Sequence, residues 1–68
     1  MNEQQILNYF GNHIIYNFNG SQDEFLTVVA DKNINYIITS QLIYFISDEP
    51  ITIDDRITVF ADNTQGVV

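Results

Sequence analysis

The sequence predicts an α+β domain: one short N-terminal helix packed on a small antiparallel β-meander of four or five strands. Three observations predict it. Hydrophobic periodicity changes from 3.6 residues to 2 after Gly11. The stretch Ile34 to Ser47 holds five Ile, two Tyr, Leu42 and Phe45, with no charge, Gly or Pro. β-branched and aromatic residues of this kind fit a pleated, half-buried surface. Turn signals at Asn19-Gly20, Asp31-Lys32-Asn33 and Asp48-Glu49-Pro50 divide the remainder into short segments.

Residues 2–10 are read as the helix. Asn2 suits the N-cap, Gln5 completes a capping-box pattern, and Glu3 lies at the positive end of the helix dipole. Ile6, Tyr9 and Phe10 fall at i, i+3 and i+4 and make an apolar face, and Gly11 ends the helix. So short a helix does not persist alone in water, so it must pack on the sheet.

In His13 to Phe18, Ile14, Tyr16 and Phe18 share one face and His13, Ile15 and Asn17 the other. The polar run Asn19–Glu24 reads as a loose, acidic hairpin tip, and Phe25–Ala30 as the next strand. The central pair follows, Ile34–Thr39 and Leu42–Ser47, meeting near Ser40-Gln41. Pro50 lacks an N–H for a ladder and marks a strand start or edge. In Ile51 to Ala61, Asp55 breaks the apolar parity of Ile51, Ile53, Ile57, Val59 and Ala61, which favours a turn or bulge at Asp54-Asp55 over a continuous strand with Asp55 at its exposed end. The chain reads as one domain over residues 1–68, with 62–68 as a frayed tail unless Val67 and Val68 dock.

A chain of 68 residues buries only about 60% of its unfolded surface, so stability must come from the apolar 46% of the residues or from self-association. There is no cysteine to form a disulfide. Nine acidic residues oppose Lys32 and Arg56, for a net charge of −7. Nine aromatics and eleven Ile distinguish the chain from a disordered acidic segment. Direct nucleic-acid binding is disfavoured, because it depends on Lys and Arg neutralising phosphates. The amino terminus lacks the basic and long apolar regions of a signal peptide. No window approaches the about 18 or more apolar residues of a membrane span. A cytoplasmic protein is expected, in the host cell if phage-encoded, with no membrane partner.

Signals for catalysis are poor. His13 is the single histidine, at the boundary between helix and strand, and none of Ser21, Ser40 and Ser47 sits in a Gly-x-Ser-x-Gly elbow. No phosphate loop, HExxH or dinucleotide fingerprint is present. Asp62 to Gly66 lacks the alternate ligands and terminal Glu of a calcium loop. A non-enzyme without metal or cofactor is expected.

The charge pattern is the remaining signal. Carboxylates pair at Asp23-Glu24, Asp48-Glu49 and Asp54-Asp55, each pair in a turn or at a strand end. Adjacent carboxylates on a strand point to opposite faces, so adjacency alone makes no acid–base pair. Duplex DNA carries one negative charge per roughly 1.7 Å of axis, and a rigid acidic protein can imitate part of that array. The expected function is therefore a non-enzymatic acidic binding protein, an inhibitor that docks on a basic protein surface such as a nucleic-acid-binding groove. Asp23, Glu24, Asp48, Glu49, Asp54 and Asp55 would face the partner, with Tyr36 and Tyr44 as apolar contacts. The alternative is a small structural or assembly subunit that forms a homodimer or larger oligomer through its sheet, its acidity serving only solubility.

In general character (short, acidic, free of cysteine, compact) the chain is similar to phage-encoded inhibitors of host defence, including nucleic-acid mimics and anti-CRISPR proteins. It is also similar to acidic immunity proteins that neutralise basic toxins. The resemblance is one of character and rests on no motif.

Overall fold

A computed structural model describes residues 2–64. The element order is α1 (Glu3–Phe10), β1 (Ile14–Phe18), α2 (Gln22–Val28), β2 (Asn35–Ile38), β3 (Ile43–Ile46) and β4 (Ile57–Asp62). The class is the expected one: an N-terminal helix on a four-stranded antiparallel sheet, in an α+β domain.

α1 is capped as its sequence requires. The Asn2 side chain accepts from the Gln5 N–H (2.9 Å), and the Gln5 side chain accepts from the Asn2 N–H (2.8 Å). Gly11 ends the helix at φ 66°, ψ −136°, a backbone conformation that essentially only glycine adopts without strain. Ile6 and Phe10 are buried and Leu7 packs beside them, while Tyr9 faces outward at 62% exposure. The apolar face is therefore built on Ile6 and Phe10 with Leu7 at its margin, and Tyr9 lies off it.

Strand order is β2-β3-β1-β4, with every neighbouring pair antiparallel. β2 and β3 form the expected central hairpin, in register from Asn35↔Ile46 to Ile38↔Ile43. The Thr39 hydroxyl closes the turn by accepting from the Leu42 N–H (2.9 Å). The order differs from a simple meander, with a geometric consequence. β1 and β2 both run antiparallel to β3, so they run parallel to each other with β3 between them. By the same argument β3 and β4 run parallel on either side of β1. A parallel pair needs a crossover, which a tight turn cannot supply. Two segments therefore cross the sheet: α2 between β1 and β2, and residues 47–56 between β3 and β4.

The segment expected to be the strand Phe25–Ala30 is this first crossover. Gln22–Val28 is helical, and Asn19–Glu24 holds the start of a helix rather than a hairpin tip. Ser21 is the N-cap, its hydroxyl accepting from the Glu24 N–H (3.1 Å), with Asp23 and Glu24 in the first turn. Phe25 and Val29, one helical turn apart, are buried. Gly20 precedes this turn because of close approach: a Cβ there would lie 2.5 Å from the buried Phe18 ring.

The sheet is covered on both faces. Toward α1 lie Ile15, Tyr44 and Ile46 with Ile37, Phe60 and Ala61. Toward α2 lie Phe18, Ile43 and Phe45 with Tyr16, Ile34, Ile38, Ile51 and Ile57. Every residue of β3 is buried, as suits a strand covered on both faces. The buried Asn17 is satisfied by donating from Nδ2 to the Ile43 carbonyl (3.2 Å).

Asp54-Asp55 is the expected turn. The Asp54 carboxylate accepts from the N–H groups of Arg56 (2.7 Å) and Ile57 (3.2 Å). Residues 51–53 form no strand and belong to the second crossover. In β4 the register shifts, pairing Ile15 with Ala61 and Tyr16 with Val59. This bulge turns both Phe60 and Ala61 toward α1. The expected fraying from residue 62 is corrected for the first residues of that span. Asp62 ends β4, and the Asn63 N–H donates to the His13 carbonyl (3.1 Å). Asn63 Nδ2 also donates to the Gly11 carbonyl. Val67 and Val68 lie outside the described residues.

Candidate partner-binding site

The two crossovers gather most of the charge onto one side of the sheet. The segments 19–34 and 47–56 hold seven of the nine carboxylates (Asp23, Glu24, Asp31, Asp48, Glu49, Asp54 and Asp55) and both cations. Glu3 on α1 and Asp62 at the end of β4 are the other two. Pairs separated by up to 31 positions in sequence thus belong to two segments that pack on one sheet face.

Each of the six acidic residues expected to face a partner is exposed. Asp23 and Glu24 occupy the first turn of α2, where the carboxylates complement the helix dipole. Asp48 and Glu49 follow β3, and the Glu49 N–H donates to the Ser47 hydroxyl (3.2 Å). Asp54 and Asp55 form the turn into β4. Arg56 links the first pair to the third. Its guanidinium lies 3.3 Å from Glu24 and 5.0 Å from the centre of the Phe18 ring. Both partners of this ion pair are more than half exposed, so it contributes little to stability.

The two tyrosines part company. Tyr36 lies on the edge strand β2 at 40% exposure, its ring 5.2 Å from that of Phe25 on the α2 side. It is available to a partner. Tyr44 is 5% exposed on the α1 side, in edge contact with Phe60 at 4.7 Å between ring centres. It is a core residue and offers no surface to a partner. The reason is that β3 is central, so both parities of that strand are buried.

What the sequence reading omits is a groove between the crossovers. It encloses about 310 Å³, with Phe18, Phe25, Val29 and Phe45 at its base and Val28 and Ile51 at its sides. Glu49 and Asp54 also line it. A second depression of about 560 Å³ shares Lys32, Ile34, Ser47 and Glu49 with the first and adds Asp31 and Asp48. The signal that could have found the groove is the helix of α2. Once Gln22–Val28 is helical, Phe25 and Val29 point at the sheet and the crossover 47–56 must pass beside them.

Among the described residues, no group of three or more His, Asp or Glu side chains is placed to hold a metal ion. No helix among them is long and apolar enough to cross a membrane. No protein-family model, curated protein or solved structure matches this chain.

Proposed function

We propose that this protein is a non-enzymatic acidic binding protein that docks on a basic protein surface, such as a nucleic-acid-binding groove, and inhibits it by occupation. The observation that supports this reading is the gathering of Asp23-Glu24, Asp48-Glu49 and Asp54-Asp55 on the two segments that cross one sheet face. A field of one sign focused on one side steers an oppositely charged partner inward and raises its association rate. Inhibition of a host nucleic-acid-binding protein by a phage or mobile element is the setting that suits such a surface.

Affinity capture followed by charge reversal tests the reading. Lysate proteins are captured on the immobilised chain at low salt and again at about 0.5 M salt, where the Debye length is only a few ångströms. A basic nucleic-acid-binding protein is expected, released by salt and by competing duplex. With the captured protein purified, Asp48→Lys/Glu49→Lys combined with Asp54→Lys/Asp55→Lys is expected to slow association at least tenfold and to flatten its salt dependence. Unchanged association at low salt would overturn the electrostatic reading.

One observation favours the second reading, a subunit that assembles through its sheet. β4 is an edge strand and its Val59 is 52% exposed, with Ile14 (38%) on the adjoining strand β1. Self-association in the absence of any partner, insensitive to neutralising the six acids, would select it.

A further inference from the structure

We propose that the groove between α2 and residues 47–56 receives one large apolar side chain from a basic protein segment. The carboxylate rim would engage the Lys and Arg residues that flank this anchor. The inference rests on the binding reading above and names the partner's chemistry at that surface.

The base of the groove is built of buried rings and a valine: Phe18, Phe25, Phe45 and Val29. Val28 stands at the side, 40% exposed. Such a base offers dispersion contacts and apolar area to an entering side chain, and nothing to orient a polar one. The groove's polar lining residues, among them Ser47, Glu49 and Asp54, are exposed or half-buried. Small-molecule sites instead place polar groups inside the pocket to fix their ligand. An apolar anchor on a larger partner therefore fits better than a free polar metabolite.

The rim decides what carries the anchor. Asp31, Asp48, Glu49 and Asp54 border the two adjoining depressions, against the single ammonium of Lys32. Glu49 and Asp54 beside the apolar base, with Asp31 and Asp48 in the adjoining depression, complement an anchor flanked by cations. A second copy of the chain would bring its own net −7 against that rim, and a nucleic acid would bring phosphates. A buried apolar anchor within a polar rim is also the usual arrangement of interface hot spots.

Three synthetic peptides test this against the isotope-labelled chain by methyl NMR: one Trp flanked by lysines, Ala in place of that Trp, and Trp flanked by glutamates. The basic Trp peptide is expected to bind at least about tenfold more tightly than the basic Ala peptide, through the apolar area it buries. Its binding should weaken at about 0.5 M salt and shift the methyls of Val28, Val29, Ile51 and Ile57. Val28→Trp, at an exposed position, should fill the groove and abolish the preference for Trp while leaving salt-dependent binding of the Ala peptide. Equal affinity of the two basic peptides would overturn the anchor site and leave the acidic docking reading standing. Equal affinity of the lysine- and glutamate-flanked Trp peptides would overturn both. Shifts centred on Ile14 and Val59 would place binding at the β4 edge and overturn the assignment to the groove, as would absence of binding by all three.

Discussion

Phe25 is where the helix, the sheet and the groove meet. Its ring, 1% exposed, lies 5.4 Å from Phe18, 5.2 Å from Tyr36 and 5.5 Å from Phe45, centre to centre. Aromatic pairs in such tilted and edge geometries contribute beyond their buried area. The same ring forms part of the groove base, so packing and the proposed recognition draw on one side chain. Tyr44 holds the corresponding place on the other face and supplies a titration. Burial pushes its phenol above the ordinary 10.0, and the Glu3 carboxylate adds to the effect. Below that pH the phenol is protonated in both folded and unfolded chains, and its contribution is constant. Above it, the unfolded chain releases the proton while the folded chain retains it, so stability falls as pH rises. Urea unfolding at pH 8 and at about 11 is expected to show this loss, and Tyr44→Phe is expected to reduce it. An equal pH dependence in the variant would show that Tyr44 does not titrate in this way.

At the level of elements, α2 combines one side-chain cap, Ser21, with the packing of its buried Phe25. It has seven residues, far too few to be helical without support. Ser21→Ala removes the hydroxyl that accepts from the Glu24 N–H and is expected to cost about 1 kcal/mol in denaturant unfolding. A change below a few tenths of a kcal/mol would mean that the Phe25 and Val29 contacts hold the helix without it. The same element marks the limit of what the sequence discloses. α1 is legible because Asn2, Gln5 and Gly11 are local signals acting on adjacent backbone. The β2–β3 hairpin is legible because its strands are joined by four residues. α2 carries an equally local signal, Ser21 followed three positions on by Glu24, directly before an apolar run. Alternation of Phe25, Thr27 and Val29 with Leu26 and Val28 hides it, since Thr and Val favour strands and the window is too short for either period to dominate. Packing of Phe25 against Phe18 and Phe45 decides the outcome, and Phe45 lies 20 positions further along the chain. The candidate site shares this history. The six acids are legible as surface residues, while the burial of Tyr44 and the groove beside Phe25 depend on strand order.

For the molecule as a whole, the concentrated charge has a cost that salt should relieve. Seven of the nine carboxylates lie on two neighbouring segments and repel one another through solvent. At about 0.1 M ionic strength the Debye length is about 10 Å, so repulsion between exposed groups of this density is only partly screened. Raising sodium chloride from about 0.02 to 0.5 M is expected to raise the melting temperature. A flat or falling melting temperature would show that the carboxylates are too well separated to strain the fold.

The strand order also sets a timetable. β2 and β3 are close in sequence and can pair within about 1–10 μs. β1 is made before both of its neighbours, and Asn17 finds the Ile43 carbonyl across 26 positions. Its other neighbour starts at Ile57, about 39 residues after Phe18, a wait of roughly 2–8 s at about 5–20 residues per second of synthesis. Through that interval Ile15 and Phe18 belong to a strand with an open side, and a nascent chain halted before Ile57 would keep it open. Of the two interior strands, β3 finds both of its neighbours already made, and β1 is the one that waits for its last partner.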